Sequence, residues 1–381
     1  MLKPTAVFKS REWLIVAVVF WTSTSLVQAQ TSRVKPPPTR GVYQIDVLHG
    51  VQVVDPYRWL EDADSSEVQA WVDRQNAYTR GYFDRLPERA SVKARLEELQ
   101  HVTTTTAPKV VKDRYFFRRR QGDQNHSVLY VRTGNYKADP KVLLDPNTFS
   151  DDGTVALDWT HYSPDGSLIA FGKSANGDEK STLYIKNVDT GQLLTDTIPN
   201  TRYCGLAWAK DGKSFVYTRY PTPGSVPAGD ENYNRLVYHH RLGDDWKQDK
   251  PVVKDLVTKE EMVNPSSNAT HDWTFLSRSV DWSKNDLYFR PAGSDGEFTP
   301  IAVGLDAQVS ADIVYGKMFI RTDYKAPRYR IMTADPKNPT PEHWKELIPQ
   351  QPGVITSFSV MDNKLVVSLR ENACSRIVIY D

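Results

Sequence analysis

The chain has 381 residues, of which 39% are hydrophobic, enough for one large domain or two ordinary domains with a proper core. Its 48 basic and 47 acidic residues leave a net charge of +1, which gives no electrostatic case for nucleic acid or an anionic membrane surface as a partner. The composition includes 10 Trp, 19 Tyr, 13 Phe, 20 Gly and 24 Pro. Many aromatic residues with frequent turn residues favour short β-strands over long helices.

Residues 1–29 have the pattern of a secretory signal peptide. Three basic residues precede the apolar run WLIVAVVFW at 13–21, and Val27 and Ala29 place small residues at the −3 and −1 positions. The run is well short of the ~20 residues that a membrane-spanning helix needs, which disfavours the alternative of a membrane anchor. We therefore expect cleavage before Gln30 and export to a periplasm or beyond, with no membrane attachment afterwards.

A Pro-rich stretch follows the predicted cleavage site. Residues 30–54 include three consecutive prolines at 36–38, and we expect an extended leader without a core. The octet DPYRWLED at 55–62 then marks the start of folded protein. Asp55 can accept a backbone N–H at a turn, Pro56 restricts φ at the start of a short helical turn, and Trp and Leu follow as apolar anchors.

Two helices are predicted in the segment 55–100. Residues 64–67, DSSE, have the spacing of a capping box, and Pro87 suits the first turn of the second helix. Two helices cannot bury two broad apolar faces against each other alone, so we expect them to pack on a further domain. The predicted faces consist of Val68, Trp71, Val72, Tyr78 and Phe83 in the first helix, and of Val92, Leu96 and Leu99 in the second.

From residue 101 to 381 the pattern indicates strands. A unit of strand, tight turn, strand, loop and strand recurs six times, with matching strands about 50 residues apart, the size of a four-stranded propeller blade. A β-sandwich is the competing architecture, but sandwiches do not repeat one unit so evenly. The sequence therefore predicts a mainly β protein, a propeller with at least six blades. The predicted strands lie at 115–117 and 128–131; 162, 168–171 and 183–188; 206–208, 215–217 and 236–239; 280–282, 287–289 and 301–303; 313–315, 318–320 and 329–332; and 357–360, 365–368 and 376–380.

No motif for catalysis or for a metal or cofactor is present. The sequence contains no G-x-S-x-G, no H-E-x-x-H and no P-loop. His239 and His240 are neighbours in a predicted strand and face opposite ways, so they cannot chelate one ion together. The stretch DDG at 151–153 lacks the later ligands of a calcium loop and indicates a turn. We therefore predict no catalytic residue, metal or cofactor in this chain.

Two further features are interpreted as structural. Cys204 and Cys374 are too few for a disulfide framework, and we expect both to be small buried hydrophobic residues. The run RRR at 118–120 alternates across a strand end and predicts a solvated rim.

The octet at 55–62 is very close to the DPY-x-WLED signature of the prolyl oligopeptidase family of serine peptidases. The similarity continues through the two predicted helices and is closest at 142–157, VLLDPNTFSDDGTVAL, and then at 162–172 and 206–208. It thins after about Asp245 but persists in the layout of the strands. The chain therefore resembles this family, and it is less similar to oligopeptidase B in the LLDPN region.

The resemblance implies an architecture and an activity. In the family, an N-terminal helical segment packs on a C-terminal α/β-hydrolase domain, and a seven-bladed propeller inserted between them caps the active site and excludes large folded substrates. The hydrolase domain carries a Ser, Asp and His triad and cleaves short peptides after proline. These 381 residues match the helical segment and about six blades, so we expect the chain as given to be inactive and to need the missing α/β-hydrolase domain.

One substrate contact follows from the resemblance. Tyr203, in YCGLAW, matches a position where the family has an aromatic residue that lines the substrate pocket from the propeller side; a core aromatic is the alternative. Two functions remain open. The chain is the substrate-gating part of a secreted peptidase acting on short proline-containing peptides, or it is a free-standing propeller that binds peptides or proteins. The predicted helices favour the first, since a free propeller has no use for them.

Overall fold

The computed structural model describes residues 35–381. The chain divides into two compact units, Met1–Glu97 and Glu98–Asp381. The predicted signal peptide at 1–29 and its cleavage site lie outside the described residues. Within 35–381, no helix combines the length and the apolar character needed to cross a membrane.

The first unit contains a β-hairpin that the sequence analysis missed. Strand β1, Gln44–Leu48, pairs antiparallel with β2, Val51–Asp55. The prediction of an extended leader as far as residue 54 was therefore wrong. The two turn residues, His49 and Gly50, have φ of 52° and 79°, which suits the right-handed twist of a two-residue hairpin. The strands were missed because most of their side chains are exposed, so no buried face imposes an alternating pattern.

The octet forms a short helical turn, as predicted. Arg58–Glu61 is a 3₁₀ helix, and Oδ1 of Asp55 accepts a hydrogen bond of 2.9 Å from the backbone N–H of Tyr57. The Trp59 ring meets the Trp71 ring edge to face, with 6.4 Å between their centroids. The octet is thereby anchored to the first long helix.

That helix, α1, is Ser66–Phe83, and α2 is Arg89–Gln100. The predicted capping box does not form. Ser65 is the N-cap and makes no side-chain cap hydrogen bond, and the Glu67 carboxylate instead accepts two hydrogen bonds of 2.9 Å from the Arg40 guanidinium. An ion pair with a distant residue thus replaces the local cap.

The predicted apolar faces are only partly covered. On α1, Val68 is buried, Trp71, Val72 and Tyr78 are half-buried, and Phe83 is exposed. Each predicted apolar residue of α2 is more than half exposed: Val92 at 55%, Leu96 at 52% and Leu99 at 53%. The α2 stripe therefore has no cover within the described residues.

The second unit contains six antiparallel sheets in chain order, which form the predicted propeller blades. In the first blade, β3 and β4 both pair with β5, so two short strands take the place of one. The first three blades comprise β3 Thr104–Thr105, β4 Lys109–Val111, β5 Arg114–Arg120, β6 Val128–Thr133 and β7 Lys141–Leu144; β8 Val155–Tyr162, β9 Leu168–Ala175, β10 Thr182–Asn187 and β11 Leu193–Ile198; β12 Leu206–Trp208, β13 Ser214–Arg219, β14 Leu236–Arg241 and β15 Lys250–Val253.

The remaining sheets continue the repeat. The sixth blade has three strands within the described residues, and the fourth and fifth have four. They comprise β16 Met262–Ser267, β17 Trp273–Ser279, β18 Asp286–Pro291 and β19 Thr299–Ala302; β20 Val309–Val314, β21 Lys317–Thr322, β22 Arg330–Ala334 and β23 Lys345–Ile348; and β24 Val354–Met361, β25 Lys364–Glu371 and β26 Cys374–Tyr380.

The prediction for the first strand of the fourth blade was wrong. Residues 280–282 form a turn in which Oδ1 of Asp281 accepts hydrogen bonds from the backbone N–H groups of Ser283 and Lys284, at 2.7 and 3.1 Å. Trp282 is 90% exposed. The actual first strand, β16, contains Asn and Pro, both of which are depleted in strands.

The hydrophobic core lies between the blades. Five clusters of buried side chains each join two consecutive blades, which explains why the blades stack face to face. Cys204 is buried in the cluster between the second and third blades, as predicted. Cys374 lies on β26 and is exposed, so the prediction that both cysteines are buried was wrong for this one. It sits on an outer strand, where no further strand covers its side chain among the described residues.

Candidate functional site

The loops of the propeller fall on two opposite faces. Because the strands of each blade are antiparallel, the loop between the second and third strands lies on the same face as the connections between blades. We call this the Tyr203 face and define it by the loops at 176–181, 199–205, 220–235 and 254–261. The chain also enters the first blade here, since the Arg120 guanidinium beside this face donates a 2.8 Å hydrogen bond to the carbonyl of Gln100.

Tyr203 lies in the loop that joins the second and third blades. It is 57% exposed, which excludes the alternative of a core aromatic, and contact with substrate stays a prediction. Its hydroxyl donates a hydrogen bond to Oε2 of Glu179, and the Arg202 guanidinium lies 2.6 Å from the same oxygen. These hydrogen bonds, from Tyr203 and then Arg202, lower the pKa of the Glu179 carboxyl. The exposed ring is thus part of an ionised cluster.

A buried arginine side chain fixes the backbone of this loop. Arg235 is only 4% exposed, and its guanidinium donates hydrogen bonds to the carbonyls of Tyr203 and Val263, at 3.1 and 3.2 Å, and to Oδ1 of Asn264 at 3.1 Å. A Cβ at Gly205 would lie 2.9 Å from Pro265, so the loop approaches the fourth blade too closely for a side chain there. The position of Tyr203 is therefore fixed by three successive blades.

The sequence analysis found Tyr203 but none of its supporting residues. Glu179 and Arg235 lie 24 and 32 positions away in the chain, and neither belongs to a motif. Only the pairing of the strands brings these residues together.

The first strands of four blades surround a central cavity of about 610 Å³. Its polar lining includes Lys109, Arg118, His161 and His271, and no Asp or Glu lines it. Arg118 is half-buried, so the prediction of a solvated rim at 118–120 was wrong for this residue. Its side chain lines the cavity, whereas Arg119 and Arg120, which are also half-buried, do not.

The histidines of the cavity are held neutral. Burial lowers the pKa of His161, outweighing the 3.1 Å hydrogen bond that its Nε2 donates to the carbonyl of Cys204. Burial also lowers the pKa of His271, and the nearby Lys109 ammonium adds to this effect. The pKa of the Cys204 thiol is raised to about 12 by burial, so this cysteine is a poor nucleophile.

Two negative predictions of the sequence analysis can be compared with the geometry. His240 is 1% exposed and binds Asp196 and Asp249, whereas His239 lies on the other side of the strand and is half-buried. Residues 151–153 form a turn. Within 35–381, no group of three or more His, Cys, Asp or Glu is placed to hold a metal ion.

The fold defines the class of protein, a β-propeller preceded by a short helical segment. Residues 36–381 match the family model described as the prolyl oligopeptidase N-terminal β-propeller domain. The chain is 31% identical to the prolyl endopeptidase of Elizabethkingia miricola over 339 residues, which are 88% of this chain and 47% of that protein. It is also 31% identical to the prolyl endopeptidase of Elizabethkingia meningoseptica over 327 residues, which are 84% and 46% of the two chains.

Solved structures agree. A prolyl endopeptidase solved in a study of inter-domain dynamics in catalysis and specificity superposes with a TM-score of 0.82 at 31% identity, covering 90% of this chain and 51% of that one. Prolyl oligopeptidase B of Galerina marginata, bound to a 25mer macrocyclization substrate, shows the same fold, with a TM-score of 0.78 at 22% identity over 91% and 52% of the two chains. The chain belongs to the prolyl oligopeptidase family, and it spans about half the length of the curated relatives it matches.

Proposed function

We propose that this chain is the N-terminal, substrate-filtering portion of a secreted prolyl oligopeptidase-like serine endopeptidase that hydrolyses short peptides after proline. The observation that carries the proposal is the exposed Tyr203, held by Glu179, Arg202 and the buried Arg235 on one face of the propeller. The chain enters the propeller at this same face, so a catalytic domain connected there would meet the Tyr203 ring.

The helical segment supports a further domain as partner. Three apolar side chains of α2, those of Val92, Leu96 and Leu99, are more than half exposed. In the proposal, an α/β-hydrolase domain with the Ser, Asp and His triad covers this stripe. The alternative, a stand-alone propeller that binds peptides or proteins without catalysis, gives the stripe no role.

Export is part of the proposal and has its own measurement. The signal pattern at 1–29 predicts that the exported protein begins at Gln30. We expect mass spectrometry of the periplasmic or secreted fraction to give this N-terminus. An intact Met1 on the exported protein would show a membrane anchor instead.

Proline-directed hydrolysis tests the central claim. The product of the whole reading frame containing this chain is assayed with a short chromogenic peptide that carries proline before the scissile bond, beside the 381-residue chain alone. We expect turnover only from the whole product, because acyl transfer needs a nucleophile and a base. We also expect the sequence of that product to contain a G-x-S-x-G elbow followed by Asp and His. A frame without this elbow, combined with peptide binding by the 381-residue chain, would establish the binding module instead.

Tyr203→Ala in the active product tests the site. We expect KM for the chromogenic peptide to rise about tenfold with little change in kcat, since the ring contributes contact area rather than chemistry. Tyr203→Phe keeps the ring and is expected to have a smaller effect. The matched control is Tyr315→Ala, because Tyr315 is also exposed, at 78%, with a positive φ of 52°, but lies in a turn on the opposite face. An unchanged KM in Tyr203→Ala, or an equal rise in Tyr315→Ala, would contradict the assignment.

A further inference from the structure

The central cavity has the charge of an anion site. The Lys109 ammonium and the Arg118 guanidinium line it without any carboxylate among the lining residues. Two acids lie close to the lining residues. Asp312 borders an adjoining pocket, and burial raises its pKa although the Lys109 ammonium opposes this effect. Asp272 lies 2.5 Å from the Lys210 ammonium. Asp312 offsets part of the Lys109 charge, but no carboxylate lines the cavity itself. A negatively charged ligand would therefore meet a favourable field.

The cavity also contains buried polar atoms that lack a partner. Within residues 35–381, Nε1 of Trp208, Oγ of Ser267 and Nδ1 of His271 are buried and form no hydrogen bond. Trp208 is only 1% exposed, and its indole N–H can act only as a donor. Buried polar atoms are normally paired, and each exception calls for an explanation. The indole N–H and the Ser267 hydroxyl can both donate, and Nδ1 of His271 donates in one of its two tautomers, so these atoms suit a ligand with acceptor oxygens.

Part of the wall is apolar. Phe116, Leu129 and Leu206 line the cavity beside the donors. A volume of about 610 Å³ falls within the ~300–1,000 Å³ typical of sites for small organic ligands. A ligand that combines an oxyanion with apolar groups would fill both parts of the wall.

We propose that this cavity binds the C-terminal carboxylate of a short peptide, with Lys109, Ser267 and Trp208 at the carboxylate and the apolar wall against the adjoining side chains. The peptide nature of the ligand rests on the proposed function, and the oxyanion site rests on the donors alone. Tyr203, Glu179 and Arg202 are not among the residues that line this cavity. It is therefore a second peptide contact, separate from the one at Tyr203.

Calorimetric titration of the full chain with two forms of one peptide tests the proposal. The probes are Gly-Pro-Phe with a free C-terminal carboxylate and the same peptide with a C-terminal amide. We expect the acid to bind at least about tenfold more tightly than the amide, because hydrogen bonds to a charged group are stronger than neutral ones. Lys109→Met, which keeps the aliphatic part of the side chain, is expected to remove the difference in affinity between acid and amide. Ser267→Ala is expected to reduce this difference.

Lys317→Met is the matched control, because Lys317 is an exposed lysine at the start of β21 outside the cavity, and it should leave the difference unchanged. The indole N–H resonance of Trp208, assigned through Trp208→Phe, should shift on binding of the acid. Equal binding of acid and amide, no binding of either, or tight binding of inorganic phosphate alone would each overturn the proposal. The titration needs no hydrolysis, so its failure would leave the test of peptidase activity unaffected.

Discussion

His240→Ala is expected to lower the free energy of unfolding of the chain by about 3–5 kcal/mol, the usual effect of removing one partner from a buried ion pair. The His240 side chain is completely buried, and its ring nitrogens lie 2.9 Å from Asp196 and 2.9 Å from Asp249. Carboxylates only accept hydrogen bonds, so both nitrogens carry protons and the ring is an imidazolium. Alanine would leave two buried carboxylates facing the space that the cation vacates.

The network around His240 joins two blades. Asp196 belongs to β11 of the second blade, and His240 to β14 of the third. The Tyr217 hydroxyl donates a 2.7 Å hydrogen bond to Asp249 and accepts one of 3.1 Å from Arg219. Loss of the imidazolium would therefore weaken the packing between the second and third blades, and not only the contacts of one side chain.

The same residue predicts how stability depends on pH. Burial alone lowers the pKa of His240, but hydrogen bonds to Asp196 and Asp249 outweigh it and raise the pKa to about 9 from a reference of 6.5. A raised folded-state pKa gives stability that is fully present below pH 6.5 and is lost as the pH rises towards 9. The expected loss is on the order of 3 kcal/mol. Burial raises the pKa of Asp196, but hydrogen bonds from His240 and Gly243 outweigh this effect and lower the pKa. The stability that the Asp196 carboxylate contributes is therefore lost only at acidic pH.

Thermal or urea unfolding of wild type and variant between pH 6 and pH 9.5 measures both effects. The matched control is His239→Ala, because His239 is adjacent, only half-buried and on the other side of the strand. We expect His239→Ala to keep the decline in stability between pH 6.5 and 9, and His240→Ala to lose it. Equal stability losses in the two variants, or the same decline in both, would show that His240 is not charged in the folded protein.

The 381-residue chain expressed alone is expected to self-associate, and Leu96→Glu with Leu99→Glu is expected to shift it towards monomer. Both leucines are more than half exposed on α2, and Ile377 and Ile379 on β26 are 67% and 60% exposed. Burial of the exposed half of each leucine between two copies would contribute about 1 kcal/mol, and the exposed isoleucines of β26 add further apolar surface to such a contact. Size-exclusion chromatography with light scattering on residues 30–381 measures the result.

Ser91→Glu is the matched control for this experiment, since it adds a charge to an exposed position of the same helix without removing an apolar side chain. It should leave the association unchanged. Co-expression with the downstream half of the reading frame should give a monodisperse complex if a hydrolase domain covers the stripe. A monodisperse wild-type monomer with a cooperative melt, unaffected by that half, would show that the chain is a self-sufficient module.

Local patterns in the sequence determined most of the architecture. Alternating apolar strands separated by tight turns located all six blades, because the spacing of turns and strands is a local property. The first strand of the fourth blade escaped, since Asn264 and Pro265 weaken its strand signal and packing against the third blade compensates for them. The hairpin at 44–55 was not predicted, because its strands bury no face and therefore show no alternating apolar pattern.

The sites depended on tertiary structure to a greater degree. Strand alternation showed from sequence alone that His239 and His240 face opposite ways. It could not show that Asp196, 44 residues earlier and on another blade, meets His240. In the same way, the sequence identified Tyr203 through a resemblance. The Arg235 guanidinium, which fixes the backbone of Tyr203, comes from the loop between β13 and β14 of the third blade. Contacts between blades join residues far apart in the chain, and no local pattern records them, because they form only when the sheets pack face to face.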